Sequence, residues 1–249
     1  MNSDEEEKYT NYEDRINIMN HYEVIYQRKA DAYHRMIKSE DFEGNLLPAI
    51  EKFTSFEEKR LLDIGSGTGR IPLLLHNQTK MVISLDKSLA MLQEQKIQRD
   101  LVNGQWSLSL GDMRRLPFCS NYFDYVIAGW AIGHFCSWYE KEWKTQIGFV
   151  LGEMHRMVVK GGAVLIIETM TTGSLYPAPP TSQLAKYYEW LEEEWGFTKV
   201  IIRTDLKFKD IDAAIQNTDF FFGNELTKKI QENRWSRIPE WTGIWGKMI

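Results

Sequence analysis

Cysteine is nearly absent: the 249 residues hold only Cys119 and Cys136. Two thiols make neither a disulfide framework nor a zinc spacing, and they suit a reducing compartment, so a cytoplasmic protein is expected. Long apolar runs are missing too. The longest, near Ala163–Ile167, is strand-sized, far short of the ~18–20 residues a membrane helix needs, so no membrane partner is expected. Positive charge is not in excess, with 30 basic residues against 35 acidic and a net charge of −5. Nucleic-acid binders are usually basic or carry a basic stripe. Here Arg114-Arg115 and Lys228-Lys229 are isolated doublets, and no nucleic-acid partner is expected. Met1–Lys8 has four acids and one lysine, without the basic start and apolar stretch of a secretory signal. Repeats and low-complexity segments are also lacking.

What is present reads as one globular domain. Hydrophobic residues at 43% and charged residues at 26% argue against wholesale disorder. A chain of roughly 250 residues buries about three quarters of its unfolded surface, enough for a large core. Residues 1–11 read as an acidic tail. Tyr22, Ile25, Tyr26, Lys29, Tyr33 and Ile37 follow helical spacing, as do Leu46, Leu47, Ile50 and Phe53. Arg60–Ile64 then reads as a strand and Ile71–Asn77 as a helix with Pro72 in its first turn. Met81–Leu85 is a strand ending at Asp86, and Ser88 can cap a helix through Arg99. Strands follow at Trp106–Leu110 and Phe123–Ala128. Ser137 and Glu140 space like a capping box ahead of a helix through Val158. Gly161-Gly162 ends that helix, and Ala163–Glu168 is a strand. This βα alternation predicts a parallel sheet covered by helices on both faces. Ser182 can cap a further helix stopped by Gly196. Lys199–Thr204 reads as a strand, Asp210–Asn233 as two short helices and Gly243–Ile249 as a closing strand.

Three segments carry chemistry. The first is Leu61–Gly69, where a strand runs into Gly65-Ser66-Gly67-Thr68-Gly69. Glycine allows positive φ and close approach of a ligand to the backbone. Such a turn sits at the carboxyl edge of an open sheet, where ligands bind. The dinucleotide fingerprint is G-x-G-x-x-G. These glycines read G-x-G-x-G with Asp63 just before them, which suits a ligand carrying an ammonium or sulfonium better than a phosphate. The second is Asp86, at the end of the next strand, where a carboxylate can accept from both ribose hydroxyls. The third is Gly111-Asp112-Met113, whose acid can accept from an amino group while Met113 packs on a ring.

In this order and spacing, the three segments resemble the class I S-adenosylmethionine-dependent methyltransferases of the small-molecule type. Leu116-Pro117-Phe118 with Phe123–Ile127, and Glu153–Gly162, are similar to that family's approaches to its fourth and fifth strands. The likeness covers residues 58–170 well and the last two strands loosely. It implies a Rossmann-like seven-stranded α/β sheet, mostly parallel, with the last strand antiparallel. Gly65, Ser66, Gly67 and Gly69 would then surround the methionine end of S-adenosylmethionine, with Asp63 organising the loop. Asp86 would hold the ribose beside Lys87, Asp112 and Met113 would frame the adenine, and Ala128 would offer its backbone to the amino acid moiety.

On the acceptor side the resemblance points to His134 as the catalytic candidate; many relatives carry a His pair where this chain has Gly133-His134. Trp130, Trp138 and Tyr139 would wall the pocket, and Tyr22, Tyr26 and Tyr33 would lid it. No Asn/Asp-Pro-Pro-Tyr/Phe box follows the fourth strand, and neither cysteine has the context of a pyrimidine-attacking nucleophile. The expected acceptor is therefore a small molecule. A helical cap at 12–57 and an insertion at 206–240, within the segment 171–249, would cover its pocket. Methylation of tRNA or protein and a non-catalytic cofactor-binding role are the alternatives. A nicotinamide dehydrogenase fits less well, given the glycine spacing and Asp63.

Overall fold

The computed structural model describes residues 21–53 and 55–249. The acidic tail and the first part of the helical cap lie outside the described residues. The described chain opens with α1 (21–28) and α2 (Ala30–Ile37). A single helix was expected here, but the chain breaks at Lys29, whose φ of −133° and ψ of 32° are not helical. α3 (Leu46–Glu51) completes the N-terminal helices.

The alternation that follows is the core: β1 (Arg60–Ile64), α4 (Arg70–Leu75), β2 (Met81–Asp86), α5 (Leu89–Leu101), β3 (Ser107–Leu110) and β4 (Phe123–Gly129). After a 3₁₀ turn at Ile132–His134 come α6 (Phe135–Trp138), α7 (Trp143–Met157) and β5 (Val158–Thr172). α8 (Ser182–Glu193), β6 (Thr198–Arg203), β7 (Leu206–Lys207), α9 (Ile211–Asn233), β8 (Arg237–Ile238) and β9 (Glu240–Met248) close the chain. Seven strands form one sheet in the order β3-β2-β1-β4-β5-β9-β6. β9 runs antiparallel to both its neighbours, so the antiparallel strand is the last in sequence but lies inside the sheet, between β5 and β6.

The central strands are apolar throughout because both faces are covered. Leu62, Ile64, Val126, Ala128, Val164 and Ile166 enter one buried cluster with α7 and α8. Their alternates Leu61, Tyr125, Ile127, Ala163, Leu165 and Ile167 enter another with α3 and α4. That two-sided burial is the period-two pattern of a parallel sheet between helical layers. A third cluster joins Met36 and Ile37 of α2 to Leu206, Phe208, Ala214, Leu226, Ile230 and Ile238. It ties the N-terminal helices to the insertion, in which β7 and β8 form a short antiparallel ribbon around α9. The two helices expected there are present, meeting within α9 at a kink at Gly223, whose φ is 68°.

Local signals shifted in three places. The Ser137–Glu140 capping box does not form; α7 starts at Trp143, and Ser137 Oγ instead donates to the His134 carbonyl. Thr181, not Ser182, caps α8 by accepting from the Leu184 N–H. Gly161-Gly162 does not end α7, which stops at Met157; the pair lies within β5 at a register shift against β4. A Cβ on Gly162 would stand 2.3 Å from the Asp124 carbonyl oxygen, so close strand approach requires this glycine.

Candidate functional site

A groove of about 590 Å³ opens at the carboxyl ends of β1, β2 and β4, a typical volume for a small-molecule site. Its floor is the turn after β1. Gly65 and Gly67 adopt φ of 64° and 53°, the left-handed region that favours glycine. A Cβ on Gly65 would lie 2.5 Å from Ala131 Cβ and 2.8 Å from Met113 Cε, so the β1 and β4 loops meet only because residue 65 has none. The turn is held from outside the groove. The Gln95 amide spans Ser66 Oγ at 3.1 Å and Ser84 Oγ at 2.9 Å, and His34 Nδ1 lies 3.0 Å from Thr68 Oγ1.

Two carboxylates face this floor. Asp63 is buried, and its Oδ2 has no hydrogen-bond partner among the described residues. Burial, reinforced by Asp86, pushes its pKa well above the usual carboxylate range. An unpartnered buried carboxylate lining a groove is costly unless a ligand donates to it. Asp86 accepts from the Gly67 N–H at 2.8 Å through Oδ2 and from the Ser88 N–H at 2.8 Å through Oδ1. It thereby ties the end of β2 to the glycine turn, and burial still raises its pKa.

Beyond β3, Asp112 and Met113 line the groove's far end. Arg114 grips the Asp112 carboxylate, with Nε 3.0 Å from Oδ1 and Nη2 2.5 Å from Oδ2, and lowers its pKa. The same guanidinium reaches Tyr139 Oη at 3.1 Å and Gln146 Oε1 at 2.8 Å. Arg114, half of an isolated basic doublet in the sequence, is a wall of the groove, and only its spacing of two from Asp112 hints at this.

The opposite wall turns on Trp130, whose φ of 52° is unusual for a bulky residue. Its N–H donates to the Ile167 carbonyl at 2.6 Å, and the Arg70 guanidinium stacks 3.8 Å from its ring centre. Arg70 is itself ion-paired with Glu40. The bend at Trp130 brings His134 to the groove. There its ring stacks on Trp138 with centroids 5.1 Å apart and planes 12° apart. Lys87 Nζ sits 3.8 Å from the centre of the same Trp138 ring. Burial, with Lys87 nearby, pushes the His134 pKa down to about 4, so its imidazole is neutral at neutral pH. α1 crosses above: Ser88 Oγ donates to the Tyr26 carbonyl at 3.1 Å, and Tyr26 Oη lies 3.0 Å from His134 Nε2.

The groove thus brings together Asp63, Gly65, Ser66, Gly67, Asp86, Lys87, Asp112, Met113 and His134. Gly69 and Ala128 do not line it. Gly69 precedes α4 with φ of 93°, and a Cβ there would press on Gln95. Ala128 is fully buried in β4 beside Ile166, and the next three residues, Gly129, Trp130 and Ala131, line the groove instead. Tyr26 and Tyr33 line the groove, whereas Tyr22 packs behind them against Phe221. Neither cysteine lines it.

Residues 62–166 match the family model described as a methyltransferase domain. A malonyl-[acyl-carrier protein] O-methyltransferase of Legionella pneumophila is 26% identical over 60% of this chain and 50% of its own length. A demethylmenaquinone methyltransferase of Oceanobacillus iheyensis is 31% identical over 59% of this chain and 60% of its own. Matches to such curated relatives span about half of their length. In fold, a SAM-dependent methyltransferase from Aquifex aeolicus aligns with a TM-score of 0.53 at 12% identity, over 81% of this chain and 88% of that one. With this strand order and this groove, the chain resembles the class I S-adenosylmethionine-dependent methyltransferases, the sequence likeness resting on the methyltransferase domain matched at residues 62–166.

Proposed function

We propose that the chain transfers the methyl group of S-adenosylmethionine to an oxygen, nitrogen or carbon of a small molecule lying on the His134 side of the groove. The observation that carries this reading is the unpartnered Oδ2 of Asp63 in a groove that also holds Asp86. One carboxylate is free to accept from a ligand ammonium. The other has lone pairs left for ribose hydroxyls after binding two backbone N–H groups. When bound, the cofactor supplies a sulfonium-activated methyl, so the protein mainly aligns the nucleophile and excludes water. Trp130, Tyr26, Tyr33 and His134 offer an aromatic enclosure for that purpose. The curated relatives support the coarse activity, and their names span different acceptors.

The test is isothermal titration of the protein with S-adenosylmethionine and S-adenosylhomocysteine, with NAD as control. Binding of the first two in the micromolar range and none of NAD is expected. Binding of NAD alone, or of none of the three, would overturn the reading.

A further inference from the structure

The turn that carries His134 is held from β5 by two successive residues. The Ile167 carbonyl accepts from the Trp130 N–H at 2.6 Å. Glu168 Oε1 then accepts from the Gly133 N–H at 2.7 Å, and the Ile132 N–H also points to this carboxyl. Glu168 is 5% exposed and does not line the groove. It lies among Cys136, Tyr187 and Tyr188, all buried. A buried carboxyl in such surroundings is expensive, and an apolar residue would fill the space at lower cost unless the N–H contacts matter. The glycine before His134 belongs to the same arrangement. A Cβ on Gly133 would stand 3.0 Å from Glu168 Oε2 and 3.2 Å from Leu184 Cδ2, so a side chain here, the first histidine of a pair included, would crowd Glu168.

We propose that Glu168 is a positioning residue: by holding the backbone of residues 132–133 it fixes His134 against Tyr26 on the acceptor side of the groove. The functional meaning of that placement rests on the methyl-transfer reading; the placement itself does not. Burial pushes the Glu168 pKa up to about 8, against the N–H groups of Gly133 and Ile132, so the acid carries its proton at neutral pH. A glutamine keeps an oxygen acceptor of the same reach. Glu168→Gln is therefore the conservative variant and Glu168→Ala the disruptive one.

His134 itself reports the outcome through NMR titration of the imidazole C–H signals, with its resonance assigned by loss in His134→Asn. The charged and titratable groups facing it are Lys87 from the β2 loop and Tyr22 and Tyr26 from α1. In the unaltered protein and in Glu168→Gln the midpoint stays near 4. In Glu168→Ala it rises by about one unit or more, because a loosened turn lets water reach the ring. Gly133→Ala, which keeps Glu168 but crowds it, gives the same rise and serves if Glu168→Ala fails to fold. S-adenosylhomocysteine affinity stays within about threefold in every variant, less than 0.7 kcal/mol. A midpoint unmoved in Glu168→Ala and Gly133→Ala, or moved equally in Glu168→Gln, would overturn the proposal. Failure of the unaltered protein to bind the cofactor would sink the methyl-transfer reading while leaving the His134 shift readable.

Discussion

Tyr26 Oη and His134 Nε2 lie 3.0 Å apart although 108 residues separate them in the chain. One comes from α1 and the other from the turn after β4, so the contact closes the groove from above. Burial holds Tyr26 well above its ordinary pKa and His134 far below its own. Both partners are consequently neutral near pH 7, one donating and one accepting. A neutral imidazole can take a proton from an acceptor, but with a pKa of about 4 it is a weak base. The arrangement favours orientation of the nucleophile over its deprotonation.

For that reason His134→Ala is expected to lower turnover by roughly tenfold, less than the ~10²-fold or more that a general base typically contributes. Cofactor affinity should change little. Tyr26→Phe, which removes only the hydroxyl, should share the defect in part. Radiolabelled methyl transfer to an acceptor found by screening, paired with calorimetry, checks both; full activity in His134→Ala would return the ring to a packing role.

Asp86→Ala is expected to weaken S-adenosylmethionine binding by more than tenfold, or about 1.4 kcal/mol. The loss has two sources: the ribose partner disappears, and the Gly67 N–H loses its acceptor. Asp86→Asn keeps an acceptor oxygen and should fall between the two. Equal affinity in all three proteins by calorimetry would remove Asp86 from the site.

The cofactor half of the groove was readable in the sequence because each part is local. Asp63 through Gly67, Asp86, and Asp112-Met113 each sit at the end of a strand whose apolar pattern announces it. On the other side His134, Trp130, Trp138, Tyr139, Tyr26 and Tyr33 were legible as candidates and do line the groove, but the contacts that hold the groove in place were not, because they are long-range. Nothing near Glu168 reveals that it will meet Gly133, 35 residues earlier, and nothing near His34 reveals Thr68, 34 residues later. Ala128 and Gly69 show the limit of motif position: both stand next to the lining residues, but one points into the sheet core and the other packs on Gln95. The Ser137–Glu140 pair illustrates competition between local signals, since α6 uses that stretch before α7 begins.

Gly65→Ala should abolish measurable cofactor binding while the protein still folds. The new methyl would overlap Ala131 Cβ and Met113 Cε at a φ of 64°, where a side chain is already strained. Relief requires moving the β4 loop, and with it the wall of the groove. Gly67→Ala has open space at its Cβ position and carries only the backbone strain, so it should be the milder change. Comparable affinities in the two variants would contradict this ordering.

Stability should fall as pH rises from about 6.5 to 8, and Glu168→Gln should flatten that fall. The folded Glu168 pKa, about 8, exceeds its ordinary value of 4.5, so the folded state holds a proton that the unfolded state has released. Stability from that difference is complete below the unfolded pKa and is lost as pH climbs through the folded one. Asp63, Asp86, Glu40 and Glu240 are raised by burial too and act in the same sense. His34, His134 and His155 are lowered and act oppositely, but their contribution is largely complete above their ordinary pKa of 6.5. Above that point the carboxyls dominate. One such group contributes at most about 2 kcal/mol across the window, a few degrees in Tm for a chain of this size. Thermal melts at half-unit pH steps would show it, and a melting temperature that rises from pH 6.5 to 8 would mean these carboxyls are ionised in the folded protein.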